Sequence, residues 1–204
     1  MSIVKSSIEI LLGSASPRRR ELLAGLDIPF TAISIDADES YPAELQEGDI
    51  PRFISRAKAQ AYLPHLQANQ LLITADTIVW LDGQMLGKPR DEEEAFRMLR
   101  RLSGKTHQVF TAVTFAECGK EMQTVVDRTD VTFAELSDEE IHHYVNRYKP
   151  LDKAGAYGVQ EWIGYIACTA MNGSYFNVMG FPTHLVYPVL RERLEARGER
   201  RESE

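Results

Sequence analysis

Short apolar runs alternate along this chain with longer stretches in which apolar residues recur every three or four positions. The short runs are typical of β-strands, and the periodic stretches are typical of helices that pack one face against a core. Strands are therefore predicted at 8–12, 30–35, 71–75, 78–81, 108–115, 122–133 and 163–167. Helices are predicted at 17–26, 50–65, 92–101, 138–148 and 182–194. Because strands and helices interleave, the pattern favours a mixed α/β fold, with helices on both faces of a twisted sheet.

Polar residues mark where several of these elements begin. Ser16, Asp91 and Ser137 are suited to cap helices, because a side-chain oxygen can accept a hydrogen bond from the free N–H groups of a first turn. The pair Asp82-Gly83 is typical of a two-residue hairpin, so the strand at 78–81 is expected to turn back there. In the helix at 50–65, the periodicity predicts an inner face made of Phe53, Ile54, Ala57 and Ala61.

Composition narrows the class of protein without naming a function. The 204 residues are 44% hydrophobic and 26% charged, as in ordinary globular proteins, and the net charge of −7 argues against non-specific nucleic-acid binding. Two cysteines, Cys118 and Cys168, are too few for a disulfide framework, and neither a leader pattern nor a membrane-spanning run is evident. We therefore expect a cytoplasmic protein with one domain over 1–195 and a charged, frayed tail at 196–204.

Three consecutive cations, Arg18, Arg19 and Arg20, occupy the first turn of the first predicted helix. A helix N-terminus already carries about half a positive charge, so each added cation costs roughly 0.3–1 kcal/mol unless an anion answers it. One interpretation is a solvated basic face. The strand, tight turn and helix around these residues favour the other, a phosphate site in which the arginines and free N–H groups face a polyanion.

Further polar residues fall at positions suited to catalysis. Asp76 directly follows the strand at 71–75, so its carboxylate is expected at the carboxyl end of that strand, where open α/β sheets bind ligands. The alternative is that Asp76 only caps a turn through Thr77. Glu39, in an acidic loop, could join Asp76 in holding a hard divalent cation through oxygen ligands. Lys88, which follows the hairpin, could return a positive charge to the same edge.

A glycine-rich loop at 152–160 adds another set of polar groups. Lys153 supplies a cation, and Gly155 and Gly158 permit close approach of the backbone. Gln160 offers both a donor and an acceptor, as reading a base edge requires. In contrast, the Gly104-Lys105-Thr106 segment only resembles the end of a P-loop, because it follows a helix and precedes a strand, the reverse of that motif.

Seven short motifs occur in an order that resembles the Maf family of nucleoside triphosphate pyrophosphatases, from about Leu11 to Leu190. They are Ser14-x-Ser16-Pro17-Arg18-Arg19, Lys58-Ala59, Ala75-Asp76-Thr77, Lys88-Pro89-x-Asp91, Leu102-Ser103-Gly104-x-Thr106-His107, Asp152-Lys153-Ala154-Gly155-Ala156-Tyr157-Gly158-x-Gln160 and Gly173-Ser174-Tyr175-x-Asn177-Val178-x-Gly180-x-Pro182. No single motif is decisive, but a chance match to all seven in order is very improbable.

The resemblance implies a mixed α/β fold similar to that of inosine triphosphate pyrophosphatases, with two lobes around a cleft and often a homodimer. It implies a divalent cation, Mg²⁺ or Mn²⁺, and cleavage of a nucleoside triphosphate to the monophosphate and pyrophosphate. Asp76 matches the catalytic proton acceptor, whereas Arg18, Thr77 and Gln160 match positions that set base choice. The other polar residues of the family's cleft are matched by Arg19, Glu39, Lys58, Lys88 and Lys153.

Together these observations predict three sets of site residues. The catalytic set is Asp76, Lys88, Lys58 and Glu39. The substrate-binding set is Ser14, Arg18, Arg19, Thr77, Lys153 and Gln160. The metal ligands are Asp76 and Glu39.

Thr77 and Gln160 resemble the residues of the branch of the family that takes dTTP and UTP, so these are the expected substrates of this chain, with modified pyrimidine nucleotides as an alternative. Three departures from the family pattern are Gly13 in place of Ala, Ser55 in place of Ala, and Glu161-Trp162 in place of small residues after Gln160. A different class of function, a nucleotide-binding regulator of cell division that acts through a protein partner, is the alternative to an enzyme.

Overall fold

One mixed sheet of seven strands, in the order β2-β1-β3-β5-β6-β7 with β4 beside β3, organises the protein. The computed structural model describes residues 8–198. The strands are β1 (Glu9–Gly13), β2 (Thr31–Ile33), β3 (Gln70–Leu81), β4 (Gln84–Leu86), β5 (Thr106–Glu117), β6 (Gln123–Phe133) and β7 (Cys168–Asn172). The helices are α1 (Pro17–Ala24), α2 (Asp49–Tyr62), α3 (Glu92–Leu102), α4 (Asp138–Tyr148), α5 (Trp162–Ala167), α6 (Tyr175–Val178) and α7 (Thr183–Gly198). β1 runs parallel to β2 and β3, and every other pairing is antiparallel.

Helices cover both faces of this sheet, as the sequence predicted. On one face, α2 packs through residues such as Ile54 and Ala59 onto β1, β3 and β5. On the other face, α1 and α7 cover β1 and β3, and α3 and α4 cover the far ends of β3, β5 and β6. The mixed α/β prediction is therefore confirmed. Among residues 8–198, no helix has the length and apolar character needed to cross a bilayer.

β3 is longer than predicted, and its continuity changes the environment of Asp76. The strand does not end at Ala75 but runs on through Asp76 and Thr77 to Leu81, because β5 pairs with it from Leu71 to Trp80. The expectation that Asp76 lies at the end of a strand was wrong. Two polar residues between two apolar runs were interpreted as a break, whereas they belong to one strand with a long neighbour on one side.

The opposite edge of β3 is interrupted. β1 pairs with β3 only as far as Thr74, and β4 pairs with it only from Val79, so no described strand pairs with residues 75–78 on this edge. The gap leaves backbone groups without ladder partners and opens the sheet between β1 and β4. The carboxyl end of the parallel strand β1 does lie here, so the expected ligand-binding edge exists, although β3 passes through it.

Two further sequence-based assignments were wrong. Residues 163–167 were predicted as a strand but belong to α5, and the strand that follows is β7. A short apolar run is ambiguous between strand and buried helix, and the burial of Ile163 and Ala167, four residues apart, fits the helix. In α2, Phe53 and Ala61 are exposed, because the inner face is rotated toward Ile50, Ile54 and Ala59.

The predicted helix starts are confirmed. The side-chain oxygens of Ser16, Asp91 and Ser137 accept from backbone N–H groups in the first turns of α1, α3 and α4. At the other end of the chain, α7 continues to Gly198, and residues 199–204 of the predicted tail lie outside the described residues. The single-domain and frayed-tail assignments stay predictions.

A buried histidine lies in β5, behind the glycine-rich loop. His107 is 0% exposed, with its Nε2 atom 2.8 Å from the hydroxyl of Tyr157, and its ring contacts the rings of Phe133 and Tyr157 edge-on. Burial disfavours the charged imidazolium and lowers the pKa of His107 to about 4. The native protein therefore holds this side chain in its neutral form.

We expect His107 to make stability depend on pH. Its pKa is lower in the folded than in the unfolded chain, so its contribution is present above about pH 6.5 and is lost as the pH falls toward 4. Between pH 8 and pH 5 this loss should be about 2 kcal/mol. The measurement is the free energy of unfolding by urea at a series of pH values.

The variant His107→Gln keeps a polar partner for Tyr157 and does not titrate. Its free energy of unfolding should be lower at pH 8 but should fall less steeply toward pH 5. Parallel pH profiles for the parent and the variant would contradict a neutral buried histidine.

Candidate active site

A cleft of about 280 Å³ opens at the gap between β1 and β4. The turn between β1 and α1 forms one wall, the exposed edge of β3 forms the floor, and the glycine-rich loop at 152–160 forms the other wall. All of the residues predicted as site residues from the sequence line this cleft. They are Ser14, Arg18, Arg19, Glu39, Lys58, Asp76, Thr77, Lys88, Lys153 and Gln160.

The alternation of side chains along β3 divides the cleft into two halves. Ile78 faces α2, so Asp76, two residues earlier, points to the same side of the sheet. Ala75 and Val79 face the opposite side, and so does Thr77. The α2 side carries the charged cluster of Asp76, and the other side carries Thr77 with the glycine-rich loop. One uninterrupted strand thus provides both halves.

Lys58 joins two carboxylates in the charged half. Its Nζ atom, on α2, lies 2.9 Å from Oδ1 of Asp76 and 2.9 Å from Oε1 of Glu39. The side chains of Lys58 and Asp76 are each 13% exposed, whereas that of Glu39 is 51% exposed. The other carboxylate oxygen of Asp76 and that of Glu39 make no hydrogen bond to a described residue. Oxygen atoms of both acids are therefore available in the cleft.

The pKa values of the two carboxylates are shifted in opposite directions. Burial raises the pKa of Asp76 above its usual range, and this effect exceeds the opposing influence of Lys58 and Arg19. Burial would also raise the pKa of Glu39, but the hydrogen bond from Lys58 and the charges of Lys58, Lys88 and Arg19 together lower it. A raised pKa makes Asp76 a better proton acceptor than an ordinary aspartate, which is the property a general base needs.

Arg19 makes several hydrogen bonds within the protein. Its guanidinium donates to the carbonyls of Gly180 and Ala75 and to the hydroxyl of Thr77, each at 2.9 Å, and more weakly to Ser14 Oγ at 3.4 Å. Most of its donors are thus engaged within the protein, at the gap in the sheet, and burial lowers its pKa. Arg19 also lines the cleft, and its role in substrate binding stays a prediction.

The remaining cations of the cleft differ in how firmly they are held. Arg18 Nη1 lies 3.2 Å from Asp152, and Lys153 Nζ lies 2.8 Å from Asp152 and 3.1 Å from Glu161. Lys88 is exposed and makes no hydrogen bond or ion pair with a described residue. Of the charged side chains that line the cleft, five are cations and three are carboxylates, so the cleft is locally positive in a protein of net charge −7.

The glycine-rich loop carries Gln160 on the Thr77 side of the cleft. Gly155 donates to the carbonyl of Gly87, and Gly158 donates to the hydroxyl of Tyr144, both at 3.0 Å, which fixes the loop at two points. A Cβ atom at Gly158 would lie 2.9 Å from Nε2 of Gln160, so the backbone passes close to that side chain. The Oε1 atom of Gln160 is buried and has no hydrogen-bond partner among the described residues. A buried unpaired acceptor is costly unless a ligand satisfies it.

Sequence analysis missed several residues that support the site. Tyr144, in α4, donates to Glu161 and accepts from Gly158, so it holds the loop from behind. Thr111, in β5, contacts Thr77, and Asn177 anchors α6 against the sheet. Asn177 did stand within a family motif, but no role was assigned to it. Thr111 gave no signal, because a threonine in a strand is common.

Comparison with known proteins gives a consistent result. Residues 9–193 match the family model described as Maf-like protein. A dTTP/UTP pyrophosphatase of Bacteroides thetaiotaomicron is 53% identical over 187 residues, which cover 90% of this chain and 95% of the relative. One from Porphyromonas gingivalis is 54% identical, with coverage of 90% and 94%, and one from Flavobacterium psychrophilum is 47% identical, with coverage of 88% and 91%. Among solved structures, the Ham1 protein of Staphylococcus aureus aligns weakly, with 15% identity, coverage of 62% and 72%, and a TM-score of 0.45.

The geometry predicts that Arg19 contributes to stability more than its neighbours do. Arg19→Lys keeps the charge but cannot reach Gly180, Ala75 and Thr77 together, so the free energy of unfolding should fall by about 2–4 kcal/mol. Arg20→Lys is a matched control on the same helix, because Arg20 is exposed and makes one long contact of 3.4 Å. Urea unfolding measures both. Equal losses in the two variants would contradict this role for Arg19.

Proposed function

The chain belongs to the Maf family, and on that premise we propose that it hydrolyses dTTP and UTP to the nucleoside monophosphate and pyrophosphate. The observation that carries the proposal is the pairing of Lys58 with Asp76, a buried carboxylate of raised pKa, at the floor of a locally positive cleft. The names of relatives about half identical over nine-tenths of the chain support the same activity.

In the proposed reaction, Asp76 accepts a proton from a water molecule while the oxygen of that water attacks the α-phosphorus. A bond forms between the water oxygen and the α-phosphorus. The bond from the α-phosphorus to the bridging oxygen breaks, and its electron pair leaves with pyrophosphate. Lys58 holds Asp76 through Oδ1 and leaves the other oxygen to orient the water. Because β3 is paired with β5 on both sides of Asp76, the position of the base is fixed by the sheet.

The phosphates would lie against Arg18, Lys153 and Lys88. Arg18 and Lys153 share the exposed carboxylate Asp152, which a triphosphate could replace as their partner. Lys88 has no described partner and is free to bind phosphate. The hydroxyl of Ser14 accepts hydrogen bonds from Arg19 and from the N–H of Ser16, so its proton is available to donate to a phosphate oxygen.

A divalent cation, Mg²⁺ or Mn²⁺, fits this cleft. Glu39 and Asp76 each keep one oxygen free of protein hydrogen bonds, and carboxylate oxygens are the donors that such hard cations prefer. The described residues contain no group of three or more His, Cys, Asp or Glu side chains placed to hold a metal. Phosphate oxygens and water would therefore complete the coordination shell. When bound, the cation would neutralise negative charge on the phosphates.

The Thr77 side of the cleft suits a thymine or uracil base. Gln160 can pair with the imide edge of these bases, because its Nε2 atom can donate to a carbonyl beside N3. Val79, Tyr157 and Met179 supply apolar contacts for the ring.

A nucleotide-binding regulator of cell division is not favoured as an alternative. Binding alone has no need of a buried carboxylate whose pKa is raised beside a lysine. A homodimer and a cytoplasmic location follow from the family resemblance and from composition, and both stay predictions.

We expect Asp76→Asn to lower kcat for dTTP by at least about a hundredfold, because the amide keeps the shape and the contact with Lys58 but cannot take a proton. Nucleotide binding, followed by thermal shift, should change much less. Asp82→Asn is the matched control, since Asp82 is an exposed carboxylate at the end of the same strand. Hydrolysis in ¹⁸O-labelled water should place the label in the monophosphate. Label in pyrophosphate, or release of orthophosphate, would contradict attack at the α-phosphorus.

A second expectation concerns base choice. The parent enzyme should have higher kcat/KM for dTTP and UTP than for ATP and GTP, because polar groups placed for one base edge are left unpaired by another. Gln160→Met removes both polar atoms at similar size and should reduce this preference by about tenfold or more. Gln70→Met, at the exposed start of β3, should leave it unchanged. An unaltered preference in Gln160→Met would eliminate Gln160 as the residue that reads the base.

A further inference from the structure

Two threonine hydroxyls and one backbone carbonyl form a chain of hydrogen bonds on the Thr77 side of the cleft. The hydroxyl oxygens of Thr77 and Thr111, directly opposite each other on β3 and β5, are 2.9 Å apart. Thr111 Oγ1 lies 2.9 Å from the backbone carbonyl of Asn177, and Arg19 Nη2 lies 2.9 Å from Thr77 Oγ1. Thr111 and Asn177 are both 0% exposed, so water does not compete for the contact between them.

Only one arrangement of protons satisfies all three contacts. Each hydroxyl has a single proton, and a carbonyl can only accept. Thr111 must give its proton to Asn177, since otherwise two oxygens without a proton between them would lie 2.9 Å apart. Thr111 therefore accepts from Thr77, and Thr77 accepts from Arg19. The proton of Thr77 thus points away from the cleft, and Thr77 offers the cleft only a lone pair.

The surrounding contacts hold this arrangement in place. The side-chain amide of Asn177 donates to the carbonyl of Val109 at 3.0 Å and to Thr129 Oγ1 at 2.9 Å, so the Asn177 backbone cannot easily shift away from Thr111. Gly180 lies against Thr77 on another side, where a Cβ atom would be 3.2 Å from Thr77 Oγ1. These contacts restrict the hydroxyl of Thr111 and the backbone of Asn177 to one arrangement.

We propose that Thr111 is a specificity-determining positioning residue, which takes the proton of Thr77 and so makes Thr77 an obligate acceptor toward the base. The proposal rests on the proposed function and deepens it. Thymine and uracil present a donor at N3, whereas cytosine presents an acceptor at the same ring atom. With Thr77 as an obligate acceptor, the cleft favours the imide bases, and the Thr77 oxygen repels N3 of cytosine. Discrimination against cytosine thus depends on a residue that does not touch the substrate.

The test compares Thr111→Val with Thr111→Ser, using dTTP and dCTP as substrates. Valine has nearly the shape of threonine but no hydroxyl, so Thr77 would be free to turn its proton into the cleft. The ratio of kcat/KM for dTTP to that for dCTP should fall by about tenfold or more in Thr111→Val. Thr111→Ser keeps the acceptor and should retain the parent ratio. The ratio is measured on one preparation, so partial unfolding of a variant cancels.

Thr114→Val is the matched control. Thr114 is also a buried threonine of β5 with hydroxyl contacts, to Ser55 and Thr124, but it faces the α2 side of the sheet. Its substitution should cost a similar amount of thermal stability and leave the dTTP to dCTP ratio unchanged.

Each outcome decides between the alternatives. A reduced ratio in Thr111→Val alone supports the proposal, whereas an unchanged ratio, or the same reduction in Thr111→Ser or Thr114→Val, overturns it. If the parent protein releases pyrophosphate from dTTP but the Thr111→Val ratio is unchanged, only the role of Thr111 fails. If the parent protein releases no pyrophosphate from either nucleotide, the proposed function itself fails.

Discussion

The site depends on a break in the hydrogen-bond ladder along one edge of β3. Residues 75–78 lie between the last residue paired with β1 and the first paired with β4, so the carbonyl of Ala75 would be left without a partner. An unpaired buried carbonyl is costly. Arg19 removes this cost by donating to Ala75, and the same guanidinium reaches Gly180 and Thr77. One side chain thus ties together three segments that the sheet leaves apart, and the cleft can exist without exposing unpaired backbone.

The same break allows one strand to serve two chemical environments. Consecutive side chains of a strand point to opposite faces, which normally lie in different layers of the core. Where no neighbouring strand closes the edge, both faces open into one cleft. Asp76 and Thr77 are therefore adjacent in sequence, but their side chains line different sides of that cleft. The Asp76 side carries Lys58 and a second carboxylate, Glu39. The Thr77 side carries the hydroxyl of Thr111, the guanidinium of Arg19 and the glycine-rich loop. Phosphate chemistry and base recognition therefore meet at a single backbone position.

Local signals in the sequence predicted the helix caps, the long antiparallel pair β5 and β6, and ten site residues that do line the cleft, because each depends on near neighbours or on an ordered series of motifs. What could not be predicted depends on contacts distant in the chain. The continuity of β3 through Asp76 is decided by β5, more than thirty residues away along the chain. The internal bonding of Arg19 depends on Gly180, and the role of Thr111 depends on Asn177. The apolar run that became α5 has no periodicity long enough to separate helix from strand.

The two halves of the cleft differ in how firmly their groups are fixed, and this difference follows from what each must do. Lys88 has no ion-pair partner among the described residues and Arg18 is held by an exposed carboxylate, which suits a triphosphate because it supplies strong charge-assisted contacts of its own and can reorder such cations. A base offers only neutral donors and acceptors, each of which contributes little beyond its exchange with water. Discrimination between two bases of the same size then requires the direction of each proton to be set before the base arrives. On the Thr77 side, the hydroxyl chain behind Thr77 and the loop that carries Gln160, anchored at two points, fix these proton directions. Loosely held groups would adapt to either base.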